Sequence, residues 1–107
     1  MTEFIIREGQ LSDVVPIARF QQQMAWETEN KELPETLIVP GVKAVLEDGQ
    51  GGRKGFYVVA ESENKVIGSL LVTYEWSDWR NGWFWWIQSV YVQHEWRQKG
   101  VYTALHK

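Results

Sequence analysis

The chain has 107 residues, which is enough for one domain with a buried core, and we expect a single domain over residues 1–107. Eleven basic and fourteen acidic side chains give a net charge of −3, which argues against a nucleic-acid-binding protein with a clustered basic face. The absence of cysteine excludes disulfides and thiolate metal ligands, and the absence of a long apolar run or a basic leader predicts a cytoplasmic protein without a membrane partner.

The beginning of the chain is predicted to form a strand and a helix. Residues 4–7 are a short apolar run that ends in charge, which is typical of a first strand. Ser12 or Asp13 can cap the helix that follows, in which apolar side chains recur at helical spacing. This pattern fades near residues 29–30, and the glutamines at positions 21–23 are predicted to face mostly outward.

A second helix is predicted after the break at residues 33–34, and it reaches residue 48. Because proline has no amide proton, Pro40 is expected to kink this helix or to start it afresh. Residues 49–55 contain four glycines, but they follow a helix and precede a strand, which is the wrong order for a P-loop. We interpret them as a flexible connector.

Three consecutive strands are predicted next, over residues 56–61, 66–75 and 83–92. Turns at residues 62–65 and 77–82 join them into an antiparallel meander. A last helix is predicted to begin at Arg97 or Gln98. The resulting order, β-α-α-β-β-β-α, indicates an α/β (α+β) fold with a mainly antiparallel sheet.

Tryptophan is the unusual component of the sequence, because five of its seven copies lie between positions 76 and 86. They are Trp76, Trp79, Trp83, Trp85 and Trp86. The interpretation we favour is a hairpin whose aromatic side chains pair across strands and close the core. The alternative is an exposed aromatic platform that contacts a protein or a sugar.

The segment 90–102 carries the clearest indication of function. It leads from a strand into Arg97, Lys99 and Gly100 at the start of a helix. The glycine allows a ligand to approach the backbone, and the first amides of a helix favour an anion such as a phosphate.

This junction reads Arg97-Gln98-Lys99-Gly100-Val101-Tyr102, and it resembles the motif of the GNAT superfamily of acetyl-CoA-dependent N-acyltransferases. That motif is Arg or Gln, two residues, Gly, one residue, then Gly or Ala, at the start of the helix after the fourth strand. The resemblance covers the front two-thirds of the family fold. We therefore expect an incomplete domain that stops in this helix and lacks the C-terminal strands.

The resemblance implies acetyl-CoA as cosubstrate, with strand-edge bonds to pantetheine and loop amides around the pyrophosphate. The implied coenzyme residues are Val90, Tyr91, Val92, Arg97, Gln98, Lys99, Gly100, Val101 and Tyr102. Tyr102 replaces the usual small residue; it either fills adenine or ribose space or points into the core, and we favour the core. No metal is expected, because His94 and His106 lack a metal-ligand spacing.

The same resemblance directs the loop after the first helix and the middle of the fourth strand toward an amine acceptor. The candidate catalytic residues are Ser89, Tyr91, Glu27 and Glu29. Regular alternation puts Ser89 and Tyr91 on one face of the strand and Gln88 on the other, unless a bulge intervenes.

Two classes of function stay open from the sequence. The first is an N-acetyltransferase, active if missing elements or a second chain complete the cleft. The second is a non-catalytic binding or assembly domain that uses the tryptophan-rich hairpin. In either class an uncovered fourth-strand edge is a pairing hazard, so we expect a homodimer through that edge.

Overall fold

Four antiparallel strands form the sheet of this protein, in a computed structural model that describes residues 3–49 and 51–106. The strands are β1 (Ile5–Glu8), β2 (Phe56–Ser62), β3 (Lys65–Ser77) and β4 (Gly82–Val92). Each strand pairs with the next along the chain, so β4 is an edge of the sheet in the described part of the chain. The predicted α/β order and antiparallel sheet are confirmed, with strand ends displaced by one or two residues.

Helices cover the two faces of the sheet. They are α1 (Val14–Glu29), α2 (Glu35–Asp48) and α3 (Val101–Leu105). One core cluster joins α1 and α2 to β2, with Ile17, Val42 and Val59 almost fully buried. A second cluster joins α3 to the opposite face through Val101 and Leu105. None of the helices within residues 3–49 and 51–106 has the length and hydropathy to cross a membrane.

The structure corrects two predictions about the helices. Helix α2 continues through Pro40 from Glu35 to Asp48, so the alternative in which Pro40 starts the helix afresh is wrong. Helix α3 begins at Val101 and not at Arg97 or Gln98. The cause lies in the backbone, because Gln98 and Gly100 both have positive φ angles, which a right-handed helix cannot contain.

An ion-pair network fastens the start of α1 to the sheet. Arg7 lies 2.8 Å from a carboxylate oxygen of Asp13 and 2.7 Å from one of Glu61. Asp13 is the residue before α1, as predicted, but its side chain accepts from Arg7 and from the amide of Gln10. Burial raises the pKa of Asp13, and these hydrogen bonds outweigh that effect, so the net pKa is lowered. The carboxylate is therefore held in its charged form.

A β-bulge interrupts β4 where it approaches α3. Leu71 pairs with Gln88 and Ser69 pairs with Tyr91, so two residues of β4 lie opposite the single residue Leu70. Ser89, the first of the two, has a φ angle of 56°. Side chains before the bulge therefore alternate out of phase with those after it.

The bulge changes the predicted faces of β4. Tyr91 reaches α1, on the same side of the sheet as Gln88, whereas Val92 is buried in the α3 cluster. The sequence-based assignment of Ser89 and Tyr91 to one face assumed regular alternation and is wrong for that reason.

Candidate functional site

A cleft of about 380 Å³ lies between the end of β4 and the start of α3. Its strand side consists of residues 90–92, and its other side is lined by Arg97, Gln98, Gly100, Tyr102 and Thr103. The cleft therefore brings together most of the residues that the sequence motif predicts for the coenzyme.

The backbone between β4 and α3 forms a tight turn beside this cleft. Gln98 has a φ of 67° and Gly100 a φ of 86°, both in the left-handed region. A Cβ atom at Gly100 would meet no atom of the described residues within 4 Å, so this side of the turn is open in that part of the chain. The first amides of α3 follow directly and have no acceptor within the helix.

Three of the predicted site residues meet beside the cleft: Glu27, Tyr91 and Arg97. The Tyr91 hydroxyl lies 3.2 Å from a carboxylate oxygen of Glu27 and 3.0 Å from the side-chain oxygen of Gln23. Burial, with the negative charge of Glu27, raises the pKa of Tyr91, so its hydroxyl stays protonated at neutral pH. Arg97 donates one hydrogen bond to Glu27 and another to the backbone carbonyl of Val92. This carbonyl therefore already has a hydrogen-bond donor.

Other predicted residues lie outside this group. Glu29 is exposed and pairs with Lys31 at 3.6 Å. Ser89 is the bulge residue and precedes the strand residues that line the cleft. The ammonium group of Lys99 lies over the ring of Trp96. The side chain of Val101 is buried in the core and leaves only its backbone for a ligand.

Tyr102 does not point into the core, contrary to the prediction. Its side chain is 60% exposed and lines the cleft. The reason is the helical periodicity of α3, which buries Val101 and Leu105, one turn apart, and turns Tyr102 away from them. The motif position that usually holds a small residue thus presents an aromatic ring to the cleft.

The sequence profile of the acetyltransferase (GNAT) family matches residues 13–107, which is most of the chain. The chain belongs to the GNAT acetyltransferase family. No protein with a curated function shows significant sequence similarity to this GNAT chain. This match confirms the family that the motif at residues 97–102 predicts.

Solved structures share the fold. A possible acetyltransferase from Clostridium difficile 630 superposes with a TM-score of 0.87 at 48% identity. The match covers 96% of this chain and 66% of the Clostridium difficile protein. A predicted acetyltransferase with acetyl-CoA from Clostridium acetobutylicum has a TM-score of 0.76 at 14% identity, and the match covers 97% of this chain and 69% of that protein. The aminoglycoside N-acetyltransferase AAC(6')-Iy in complex with CoA has a TM-score of 0.75 at 14% identity, and the match covers 99% of this chain and 66% of that protein. This GNAT chain thus spans about two-thirds of the length of these proteins.

Two residues of the site were not predicted from the sequence. Gln23 was expected to face outward, but its oxygen lies within hydrogen-bonding distance of Tyr91. Its separation of four positions from Glu27 puts both on one face of α1, and this spacing is the signal that could have identified it. Thr103 lines the cleft from the first turn of α3 and carries no such signal.

The tryptophan-rich hairpin forms and its aromatic side chains pair across the strands, as predicted, but the hairpin is exposed in the described part of this GNAT chain, so the prediction that it closes the core is wrong. Trp79 is 95% exposed, and the others range from 50% to 65%. The side chains pair with one another, as Trp76 with Trp83 and Tyr74 with Trp85, but neither helical layer covers them. A groove of about 700 Å³ lies between this aromatic surface and residues 51–53.

In the described part of the chain, no group of three or more histidine or carboxylate side chains is arranged to hold a metal ion.

Proposed function

We propose that this chain binds acetyl-CoA in the cleft between β4 and α3 and belongs to an N-acetyltransferase that transfers the acetyl group to an amine. The observation that carries the proposal is the coincidence of the family motif with that cleft: Arg97, Gln98 and Gly100 line it. The Clostridium acetobutylicum relative, whose structure is described as containing acetyl-CoA, supports the same ligand class.

The backbone around the cleft suits the two polar parts of coenzyme A. Free backbone groups on the β4 edge would bond the amides of pantetheine, apart from the Val92 carbonyl, which accepts from Arg97. The open turn at Gly100 and the first amides of α3 would receive the pyrophosphate. The exposed ring of Tyr102 would lie against the adenine or ribose, the alternative that its exposure favours.

The amine acceptor would approach from the side of α1. A cleft of about 410 Å³ there is lined by Arg19, Gln22, Gln23, Trp26 and Glu27. A carboxylate beside a half-exposed tryptophan suits a cationic amine. After the cationic amine loses one proton to solvent, acyl transfer would form a bond between the amine nitrogen and the thioester carbonyl carbon and break the carbon–sulfur bond. The second proton lost by the nitrogen would pass to the thiolate, so that coenzyme A leaves as its thiol. A cytoplasmic location stays a sequence-based expectation.

Isothermal titration calorimetry with acetyl-CoA and with coenzyme A tests this function. We expect saturable binding of one molecule per chain, and weaker binding of pantetheine, which lacks the pyrophosphate. The control is the thermal unfolding transition of the same sample, which shows whether the protein is folded. Absence of binding to a cooperatively folded sample would contradict the proposal.

A second candidate function is assembly through the β3–β4 hairpin, and the exposure of its tryptophans favours it. Apolar aromatic surface of this extent is typical of a contact site, and the adjacent edge of β4 offers unpaired backbone groups. We propose a homodimer in which the β4 edges and the hairpin aromatics of two copies meet.

Replacing hairpin tryptophans tests this assembly. We expect the double variant Trp83→Ala, Trp85→Ala to sediment as a monomer under conditions where the original chain sediments as a dimer, because the contact loses its largest apolar side chains. Trp26→Ala, which removes a half-exposed tryptophan from α1, is the matched control and should leave the dimer intact. If the original chain sediments as a monomer, the dimer is contradicted. If the original chain is retained on immobilised glycans and the double variant is not, the partner of the hairpin is a sugar instead.

A further inference from the structure

The guanidinium group of Arg97, the first residue of the motif, is held by groups of the protein itself. Its Nε donates a hydrogen bond of 2.8 Å to the carbonyl of Val92, and an Nη lies 3.2 Å from Glu27. Its Cζ atom lies 5.1 Å from the centre of the Tyr91 ring. These contacts direct the side chain back toward β4 and α1.

Glu27 is the point where α1 meets both parts of the cleft. One of its carboxylate oxygens contacts Arg97, in the connection to α3, and the other lies 3.2 Å from the hydroxyl of Tyr91, on β4. Tyr91 is in turn fixed by the ring of Phe20, with centroids 5.1 Å apart. A single carboxylate therefore joins the helix on the acceptor side to the strand and turn on the coenzyme side.

The turn after Arg97 needs such support. Gln98 is a residue with a side chain in the left-handed region, and a conformation of this kind persists only where the surrounding structure holds it. The side chain of Arg97 is the nearest fixed point before the turn.

We propose that Arg97 and Glu27 form a positioning pair that holds the Gln98–Gly100 turn in the conformation that receives coenzyme A, and that the Arg97 guanidinium is not itself a phosphate ligand. This inference rests on the proposed function of the cleft. It couples α1, where the acceptor would lie, to the coenzyme turn. In the alternative arrangement, the Arg97 guanidinium contacts the phosphate directly and Glu27 partly neutralises its positive charge.

The affinity of the Glu27→Gln variant for coenzyme A separates the two arrangements, because they predict opposite signs. If the pair positions the turn, Glu27→Gln weakens binding about five- to tenfold, and Arg97→Gln weakens it by a similar factor. The double variant then binds no more weakly than Arg97→Gln alone, since both changes remove the same contact. Glu47→Gln, on the exposed face of α2, is the matched control and is expected to bind as the original chain does. Unchanged or tighter binding by Glu27→Gln would overturn the proposal.

Hydrogen exchange without ligand gives a readout that does not depend on coenzyme binding. We expect faster exchange of the amides of residues 93–100 in Glu27→Gln than in Glu47→Gln, with the core amides of β2 unchanged in both. Equal exchange in the two variants would overturn the positioning pair even if coenzyme A binds. Failure of the original, folded chain to bind coenzyme A would instead overturn the proposed function, and with it the role of the pair at a coenzyme site.

Discussion

The Gly100→Glu variant is expected to lose at least about 100-fold in affinity for coenzyme A, which corresponds to about 2.7 kcal/mol. Gly100 borders the cleft on a side where an added Cβ meets open space, so a longer side chain would extend into the volume proposed for the pyrophosphate. A carboxylate there adds charge repulsion to the loss of space. Calorimetric titration of the variant with coenzyme A measures the effect.

Two control variants separate the causes of this loss. Gly100→Gln has nearly the same size without the charge, so it should lose less affinity than Gly100→Glu. Gly100→Ala retains the space and pays only for a side chain at a φ of 86°, a cost of about 1 kcal/mol in stability. Coenzyme A binding to Gly100→Glu as tight as to Gly100→Ala would show that the pyrophosphate lies elsewhere.

The Gly55→Ala variant is expected to destabilise the fold by more than about 3 kcal/mol. Gly55 has a φ of 120°, which residues with a side chain rarely adopt, and a Cβ atom there would overlap the carbonyl oxygen of Val72 in β3. The substitution must therefore displace the start of β2 from its neighbour. Unfolding by urea, followed by tryptophan fluorescence, measures the change in the free energy of unfolding.

The matched control is the same substitution at Gly41. This glycine lies within α2, and a Cβ atom there meets nothing within 4 Å. Gly41→Ala should therefore stabilise the chain by about 0.5–1 kcal/mol, because alanine loses less backbone entropy in a helix. A Gly55→Ala protein as stable as the original would show that β2 begins differently from the structure described above.

The fold was largely predictable, because its signals are local. The run of apolar residues over 56–60 and the turn at Asn81-Gly82 determine the meander, and Asn81 does adopt a positive φ. The continuation of α2 through Pro40 was not predictable, because a proline can either end a helix or be accommodated with the loss of one hydrogen bond, and the local sequence does not distinguish these outcomes. Exposure of the tryptophans was not predictable either, because burial depends on which other elements cover the hairpin.

The candidate site was predictable in part. The motif identified the turn that lines the cleft, because glycine at position 100 is a local requirement of the backbone. The contact between Arg97 and Glu27 joins residues seventy positions apart, and no spacing rule reaches that far. The orientation of Tyr102 depended on which face of α3 packs on the sheet, and that of Tyr91 depended on a bulge that the sequence does not mark.

The bulge at Ser89 shifts the alternation of side chains, so that the two halves of β4 are out of phase. The half before it presents Trp83 and Trp85 to one face, and the half after it presents Tyr91 to α1 and Val92 to α3. Loss of one residue at the bulge would restore regular pairing and leave Tyr91 opposite Ser69, whereas regular pairing of the present residues would exchange the surroundings of Tyr91 and Val92. The length of this segment and the presence of the bulge are therefore coupled, and related chains should have either two residues with a bulge or one residue without it between the positions of Gln88 and Tyr91.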